Sequence, residues 1–292
     1  TLLDSASPFR RGIGLTTCGL HLVNPGSALA SALATPELQP DALRLAAKLS
    51  DTRRTEACCA LVKSPDTAMQ MLAARAALLI GERETAVSTL TRLASDTSPL
   101  QQEAMCLVVK VLSPADAGTL LRPLAQAPAH ARTLMRGIAA AGDPHYIPWL
   151  IKQMVNQKLA RLAAEAFSMI TGLDLAYLDL DRKPPEGAVF GPNDDPADAD
   201  VAMDEDDSLP WPDIEKIRAW WEANGLRFRS GTRYFVGEQP SAAHCLSVLK
   251  KGFQRQRIAA AEYLCLLNPG TPLFNVAAPA RRQERLLAQM EA

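Results

Sequence analysis

Residues 137–155 read Gly137-Ile138-Ala139-Ala140-Ala141-Gly142-Asp143-Pro144-His145-Tyr146-Ile147-Pro148-Trp149-Leu150-Ile151-Lys152-Gln153-Met154-Val155. One helix ends in this string and another begins. The alanine-rich run stops at Gly142. Asp143 then offers a capping carboxylate immediately ahead of Pro144, and proline suits a first helical turn because it has no N–H to leave unpaired. Beyond that point Ile147, Leu150, Ile151, Met154 and Val155 fall at i, i+3, i+4, i+7 and i+8, which is one face of a 3.6-residue helix. Leu159, Ala163, Ala166, Phe167 and Ile170 write the same stripe into the next segment.

The rhythm extends upstream. Leu72, Ala76, Leu79 and Ile80 keep the helical period, as do Val87, Leu90 and Ala94, then Leu100, Ala104, Leu107, Val108 and Val111. Ser64-Pro65, Ser98-Pro99 and Ser113-Pro114 repeat the punctuation of Asp143-Pro144 and predict further helix starts. The helices group into hairpins whose first members begin near Asp66, Pro99, Ala129 and Lys158, so successive starts lie about thirty residues apart, a spacing typical of stacked helical repeats. Scarce aromatics and abundant alanine and leucine also favour helix over sheet.

With these residues in view, the run from Gly137 through Asp143-Pro144, Ile147, Trp149 and Leu150 to Ala160-Arg161-Leu162-Ala163-Ala164-Glu165-Ala166-Phe167 resembles a HEAT repeat. Arg75-Ala76-Ala77 leading to Gly81 is a weaker copy. Arg257-Ile258-Ala259-Ala260-Ala261-Glu262 is another. The pattern departs from the family at Ser113, where glycine is expected, and at Gln101-Gln102, where a basic residue is expected. The resemblance implies an all-α, HEAT-like α-solenoid of stacked helical hairpins.

After Gly172 the rhythm stops. About forty residues follow that carry Pro184, Pro185, Pro192, Pro196, Pro210 and Pro212 and an acidic run from Asp194 to Asp207, which includes Asp195, Asp198, Asp200, Asp204, Glu205 and Asp206. No basic residue interrupts that run, so mutual repulsion predicts an extended, mobile loop, disordered near its centre. Its flanks look anchored, through Leu173, Leu175, Tyr177 and Leu178 on one side and a helix with Trp211, Ile214, Ile217, Trp220 and Trp221 on the other. The alternation around Phe228 and Arg233-Tyr234-Phe235 suits either a small hairpin or an extended strap across the repeats. Helices resume at Ser241, and Arg281 to Met290 reads as a basic amphipathic end helix. The expected divisions are an N-terminal arm over 1–26, helical repeats over 27–172, the acidic, proline-rich insertion with its Trp-rich helix over 173–238, and a C-terminal repeat and cap over 239–292.

A narrower resemblance rests on an ordered series: Thr171-Gly172-Leu173-Asp174-Leu175, Trp220-Trp221-Glu222-Ala223-Asn224, Arg227-Phe228, Gly231-Thr232-Arg233-Tyr234, and Arg255-Gln256-Arg257-Ile258-Ala259-Ala260 to Pro272-Leu273-Phe274. Over most of residues 129–292 it is similar to a family of proteobacterial HEAT-like proteins, some of them encoded beside type VI secretion genes. That resemblance supplies a setting and no catalytic residues.

Charge and composition narrow the function classes. Thirty-one Lys and Arg against thirty-two Asp and Glu give a net charge of −1, which removes the global positive field of a non-specific nucleic-acid binder. No apolar run reaches the length of a membrane span, and a cytoplasmic location is expected. Cys18, Cys58, Cys59, Cys106, Cys245 and Cys265 show neither CxxC spacing nor a histidine at ligand distance, which indicates neither a zinc site nor a disulfide framework and suits a reducing compartment; Cys106 and Cys265, among small apolar residues of helices, read as buried filler and not as reactive nucleophiles. No metal and no cofactor is expected. Arg10-Arg11-Gly12-Ile13-Gly14 has glycines and arginines that suit an anion, but it lacks a phosphate-loop fingerprint and reads as part of a flexible arm. His21, His130, His145 and His244 are scattered, and His145 reads as a surface or capping residue at a helix start.

Three features remain as partner-binding candidates. Asp204, Glu205, Asp206 and Asp207 form a polyanion suited to mimic nucleic acid or to cover a basic site on a partner. Trp220 and Trp221, with Tyr234 and Phe235, suit an aromatic recognition surface, although pinning the insertion to the helical core is the stronger reading. Lys250, Lys251, Arg255, Arg257, Arg281, Arg282 and Arg285 suit either a phosphate-binding groove or a solvated helix face. The resulting expectation is a non-catalytic protein-binding module, an immunity protein or adaptor for a secreted effector or toxin in the type VI secretion setting, with no membrane partner. The alternative is a nucleic-acid-binding HEAT-like enzyme of the DNA glycosylase type, which requires Lys250, Arg255, Arg257 and Arg161 to converge on one face. The sequence sets neither the partner nor the oligomeric state.

Overall fold

The computed structural model describes residues 1–188, 191, 192, 195, 197, 199 and 201–291. The protein is all-α, with a single two-residue strand pair among the described residues. None of its described helices is long and apolar enough to cross a membrane. The chain divides into two compact units, one from residues 1–113 with 240–292 and the other from residues 114–239.

The first unit contains α1 (Pro8–His21), α2 (Ser27–Leu33), α3 (Gln39–Leu49), α4 (Thr55–Leu61), α5 (Thr67–Ile80), α6 (Glu84–Ser95) and α7 (Gln101–Val108), and, after the second unit, α13 (Ala242–Lys251), α14 (Gln254–Leu267) and α15 (Ala280–Glu291). Neighbours in the chain pack as hairpins, α5 with α6, α6 with α7 and α13 with α14, while α1 lies against α3 and α3 against α5. Small side chains permit this closeness: Ala73, Ala74, Ala76 and Ala77 of α5 are fully buried together with Leu78 and Leu79.

Residues 8–21 are therefore a helix and not an arm. Gly12, from the run that resembled an anion loop, and Gly19 face α3: a Cβ on Gly12 would lie 2.7 Å from the Asp41 carboxylate, and one on Gly19 would lie 3.0 Å from the Lys48 side chain. They let α1 approach α3, with Leu15 buried between them.

The C-terminal hairpin does more than cap. Helix α14 packs against α5, and Glu262 joins two cations of the N-terminal part, Arg75 at 2.9 Å and Lys110. Arg83 donates to the Leu266 carbonyl at 2.6 Å, and Leu273 N–H donates to the Lys48 carbonyl at 2.8 Å.

The second unit contains α8 (Pro114–Leu121), α9 (Ala131–Ala141), α10 (Ile147–Gln153), α11 (Gln157–Thr171), β1 (Asp181–Arg182), β2 (Trp211–Pro212) and α12 (Ile214–Asn224). Helix α11 packs on α9 and α10. The expected cap is present, since Asp143 Oδ1 accepts from the His145 N–H at 2.9 Å at the start of a 3₁₀ turn leading into α10. His145 itself is exposed, with its ring edge-on to Tyr146. Of the two readings for 228–237, the strap is the one observed. Tyr234 N–H donates to the Gly142 carbonyl at 2.8 Å, and Val236 and Gly237 N–H donate to the Met169 and Ile170 carbonyls at 2.7 and 3.0 Å. The strap thus satisfies carbonyls that the ends of α9 and α11 leave open. Gly142 (φ 73°) and Gly172 (φ 77°) make this possible twice over, by the left-handed turn and by space: a Cβ on Gly142 would lie 2.1 Å from the Tyr234 carbonyl oxygen.

Candidate functional site: an arginine cradle holding an acidic segment

Helix α9 presents Arg132 and Arg136 one turn apart, and α11, packed beside it, presents Arg161. The i, i+4 spacing sets the first two on one face. Trp211, on β2 against α11, lies over the third with its ring centroid 4.8 Å from the guanidinium carbon. This stacking orients Arg161, whose side chain is only 10% exposed.

The last part of the acidic run lies in this cradle. Arg132 donates two hydrogen bonds to the Asp206 carboxylate, at 2.6 and 3.0 Å, and one to Glu205 at 3.1 Å. Arg136 reaches Glu205 at 3.0 Å. Arg161 pairs with the Asp204 carboxylate and donates to the main-chain carbonyl of Asp206 at 2.9 Å. The segment is coiled tightly enough to turn three successive carboxylates inward: Asp206 N–H donates to Asp204 Oδ1, Asp207 N–H to the Asp204 carbonyl and Leu209 N–H to the Asp206 carbonyl, all at 3.0 Å.

The charges respond accordingly. The hydrogen bond from Arg161 holds the Asp204 carboxyl below its usual range, and the bond from Arg136 does the same for Glu205. Arg132 is held more firmly protonated by its bond to Asp206. The expectation of a repelled, extended loop is thus corrected for 204–206, because the compensating cations come from distant helices. Asp207 is exposed; Asp194, Asp198 and Asp200 lie outside the described residues. Beside the docked segment is a surface pocket of about 400 Å³, lined by Arg132, Gln157, Lys158, Arg161, Glu205 and Trp211.

The aromatic candidates are placed elsewhere in the second unit. Trp220 and Trp221 of α12 lie edge-on to the fully buried Phe167 of α11, at 6.0 and 6.4 Å between centroids, and against Phe228, which meets Tyr234 at 5.2 Å. They pin 211–235 to the helices.

The C-terminal basic candidates belong to the first unit. Arg255, Lys250 and Lys251 are exposed on α13 and α14. Arg257 donates to the Leu249 carbonyl at 2.8 Å and to Gln283. Arg282 donates to the Leu20 carbonyl at 3.0 Å. Three thiols, Cys58, Cys245 and Cys265, are pushed up to about 12, chiefly by burial.

The sequence reading placed Arg161 in its alternative and missed Arg132 and Arg136 altogether. Their i, i+4 spacing on an otherwise apolar helix was the available signal.

Comparison with family models, curated proteins and solved structures returns no match to this chain.

Proposed function

We propose that the protein is a non-catalytic protein-binding module built on HEAT-like stacked hairpins, an immunity or adaptor protein for a secreted effector in the type VI secretion setting. The observation that carries the recognition reading is the cradle: Arg132, Arg136 and Arg161 hold three successive carboxylates and a main-chain carbonyl of a peptide, the contact set of a peptide-binding surface. Side-by-side packing of α1 with α3, α3 with α5 and α9 with α11 supports the stacked-hairpin reading. The setting rests on the ordered resemblance over 129–292.

Chemistry at the titratable groups points the same way. Thiols held near 12 stay protonated at neutral pH and are poor nucleophiles. Burial raises the Glu262 carboxyl, but Lys110 and Arg75 more than offset that and hold it at about 2, too acidic for a general base.

The test is titration calorimetry of the purified protein against the purified products of neighbouring genes. A stable one-to-one complex, weakened by Arg132→Glu with Arg136→Glu, is expected. Absence of any such complex, together with DNA-duplex binding that falls steeply with salt, would replace this reading with the nucleic-acid one.

A further inference from the structure

The acidic segment is held in its cradle almost entirely by charge. Of its larger apolar residues Val201 and Met203 are 77% and 68% exposed and Leu209 is half-buried, and the Glu205 side chain is 64% exposed; only Asp206 is fully buried. Little apolar surface would be uncovered by its departure; the pairs of Glu205 are half-exposed and add modest stability, while Arg161–Asp204, 10% and 19% exposed, and Arg132–Asp206, 31% and 4% exposed, are more buried, where desolvation offsets much of the attraction. Four acids in succession, Asp204 to Asp207, also repel one another. Such a segment belongs to the low-stability end of a fold. The cradle differs: its arginines rise from two packed helices, and Trp211 holds one of them in place.

From this contrast we infer that residues 201–209 act as a tethered stand-in ligand, occupying a cradle whose exchange ligand is an acidic peptide segment of a partner protein. Peptide is favoured over nucleic acid by the occupant itself, since Arg161 reads a main-chain carbonyl as well as a carboxylate. The 400 Å³ pocket beside Trp211 and Lys158 gives an incoming chain room to begin docking before the resident segment has left. Because the resident segment is covalently attached, its effective concentration is high, and a free peptide binds with an affinity reduced by the fraction of time the cradle is open. This inference rests on the protein-recognition reading and adds the partner's chemistry and the means of its control.

The experiment uses the full chain and a fluorescent peptide of residues 201–209, with a neutral counterpart in which its acids are amides and a short random DNA duplex as comparison probes. The variant Asp204→Asn/Glu205→Gln/Asp206→Asn should bind the acidic peptide at least about tenfold more tightly than the wild-type chain, and adding Arg136→Glu should reverse the gain. Hydrogen exchange on the unmodified protein gives an answer even if that variant does not fold: millimolar acidic peptide should speed exchange at the Asp207 and Leu209 amides, and the neutral peptide should not. Equal affinity for the two chains, unchanged exchange at those amides, or displacement by the duplex in place of the peptide would each overturn the inference. None of these probes is the native partner, so a failure here leaves the calorimetric test of the recognition reading standing.

Discussion

Two ion-pair clusters, one in each unit, use the same chemistry to opposite ends. In the first, the Glu262 carboxylate lies between Arg75 and Lys110, with the Glu262 and Lys110 side chains 9% and 7% exposed. In the second, Arg132, Arg136 and Arg161 face Asp204, Glu205 and Asp206; Arg132 and Glu205 are 31% and 64% exposed, while Arg161, Asp204 and Asp206 are 10%, 19% and 4% exposed. Glu262 sits on a helix whose neighbours Ala260, Ala261 and Cys265 are buried, so the carboxylate cannot leave without taking a core helix with it. Glu205 sits on an irregular segment whose apolar residues Val201 and Met203 are exposed, outside any core helix. Burial and backbone context, more than the number of charges, decide whether an ion pair is a lock or a latch.

The largest separation between the two should appear on removing one charge from each. Glu262→Ala removes the buried carboxylate shared by Arg75 and Lys110, the latter 7% exposed, and should cost about 3–5 kcal/mol in denaturant unfolding, whereas Glu205→Gln should cost less than about 1 kcal/mol. Comparable losses for the two variants would break the contrast.

Acid should sharpen it. The folded-state carboxyl of Glu262 is held at about 2, below its ordinary 4.5, so its stabilising contribution is complete above about 4.5 and is lost as pH falls from there toward 2. The stability gap between wild type and Glu262→Gln should therefore be widest near neutrality and narrow by up to about 3 kcal/mol across that interval, measured by urea melts at successive pH values. A gap independent of pH would show that Glu262 is not held ionised by its partners.

A further comparison concerns two straps in the second unit. The strap at 234–237 is tied by main-chain hydrogen bonds to the ends of α9 and α11 and by aromatic packing, so a change at its seat should matter as a change beneath the acidic segment does not. Gly142→Ala introduces a side chain into a left-handed turn against the Tyr234 carbonyl and should cost about 2–3 kcal/mol, read as a lowered Tm with weaker protection at the Tyr234 and Val236 amides. An Arg136→Gln change should lower the Tm far less.

What could be read from the sequence follows from range. The helix starts near 66, 99, 129 and 158 correspond to α5, α7, α9 and α11, which begin at Thr67, Gln101, Ala131 and Gln157, because caps and 3.6-residue stripes are written within one or two turns. The aromatic anchoring of Trp220 and Trp221 was also legible, since an aromatic face beside an irregular segment has few other uses. The cradle was not. Arg161 and Asp204 are separated by 43 positions, and Arg132 and Asp206 by 74; no local pattern says which distant cation a carboxylate will meet. Nor was the return of α14 to α5, which depends on a carboxylate pairing 187 positions from Arg75. Helix α1 was hidden by its glycines, which in isolation lower helix propensity and here serve close packing on α3.

The latch itself is tested most directly by hydrogen exchange at two salt concentrations. Between low salt and molar salt, the Asp207 and Leu209 amides should exchange at least about tenfold faster while the amides of α14 around Glu262 stay unchanged, because screening reaches the half-exposed pairs of Glu205 with Arg132 and Arg136 and barely touches the buried Glu262–Lys110 pair. Salt-independent exchange at Asp207 and Leu209, or equal acceleration in α14, would contradict the account.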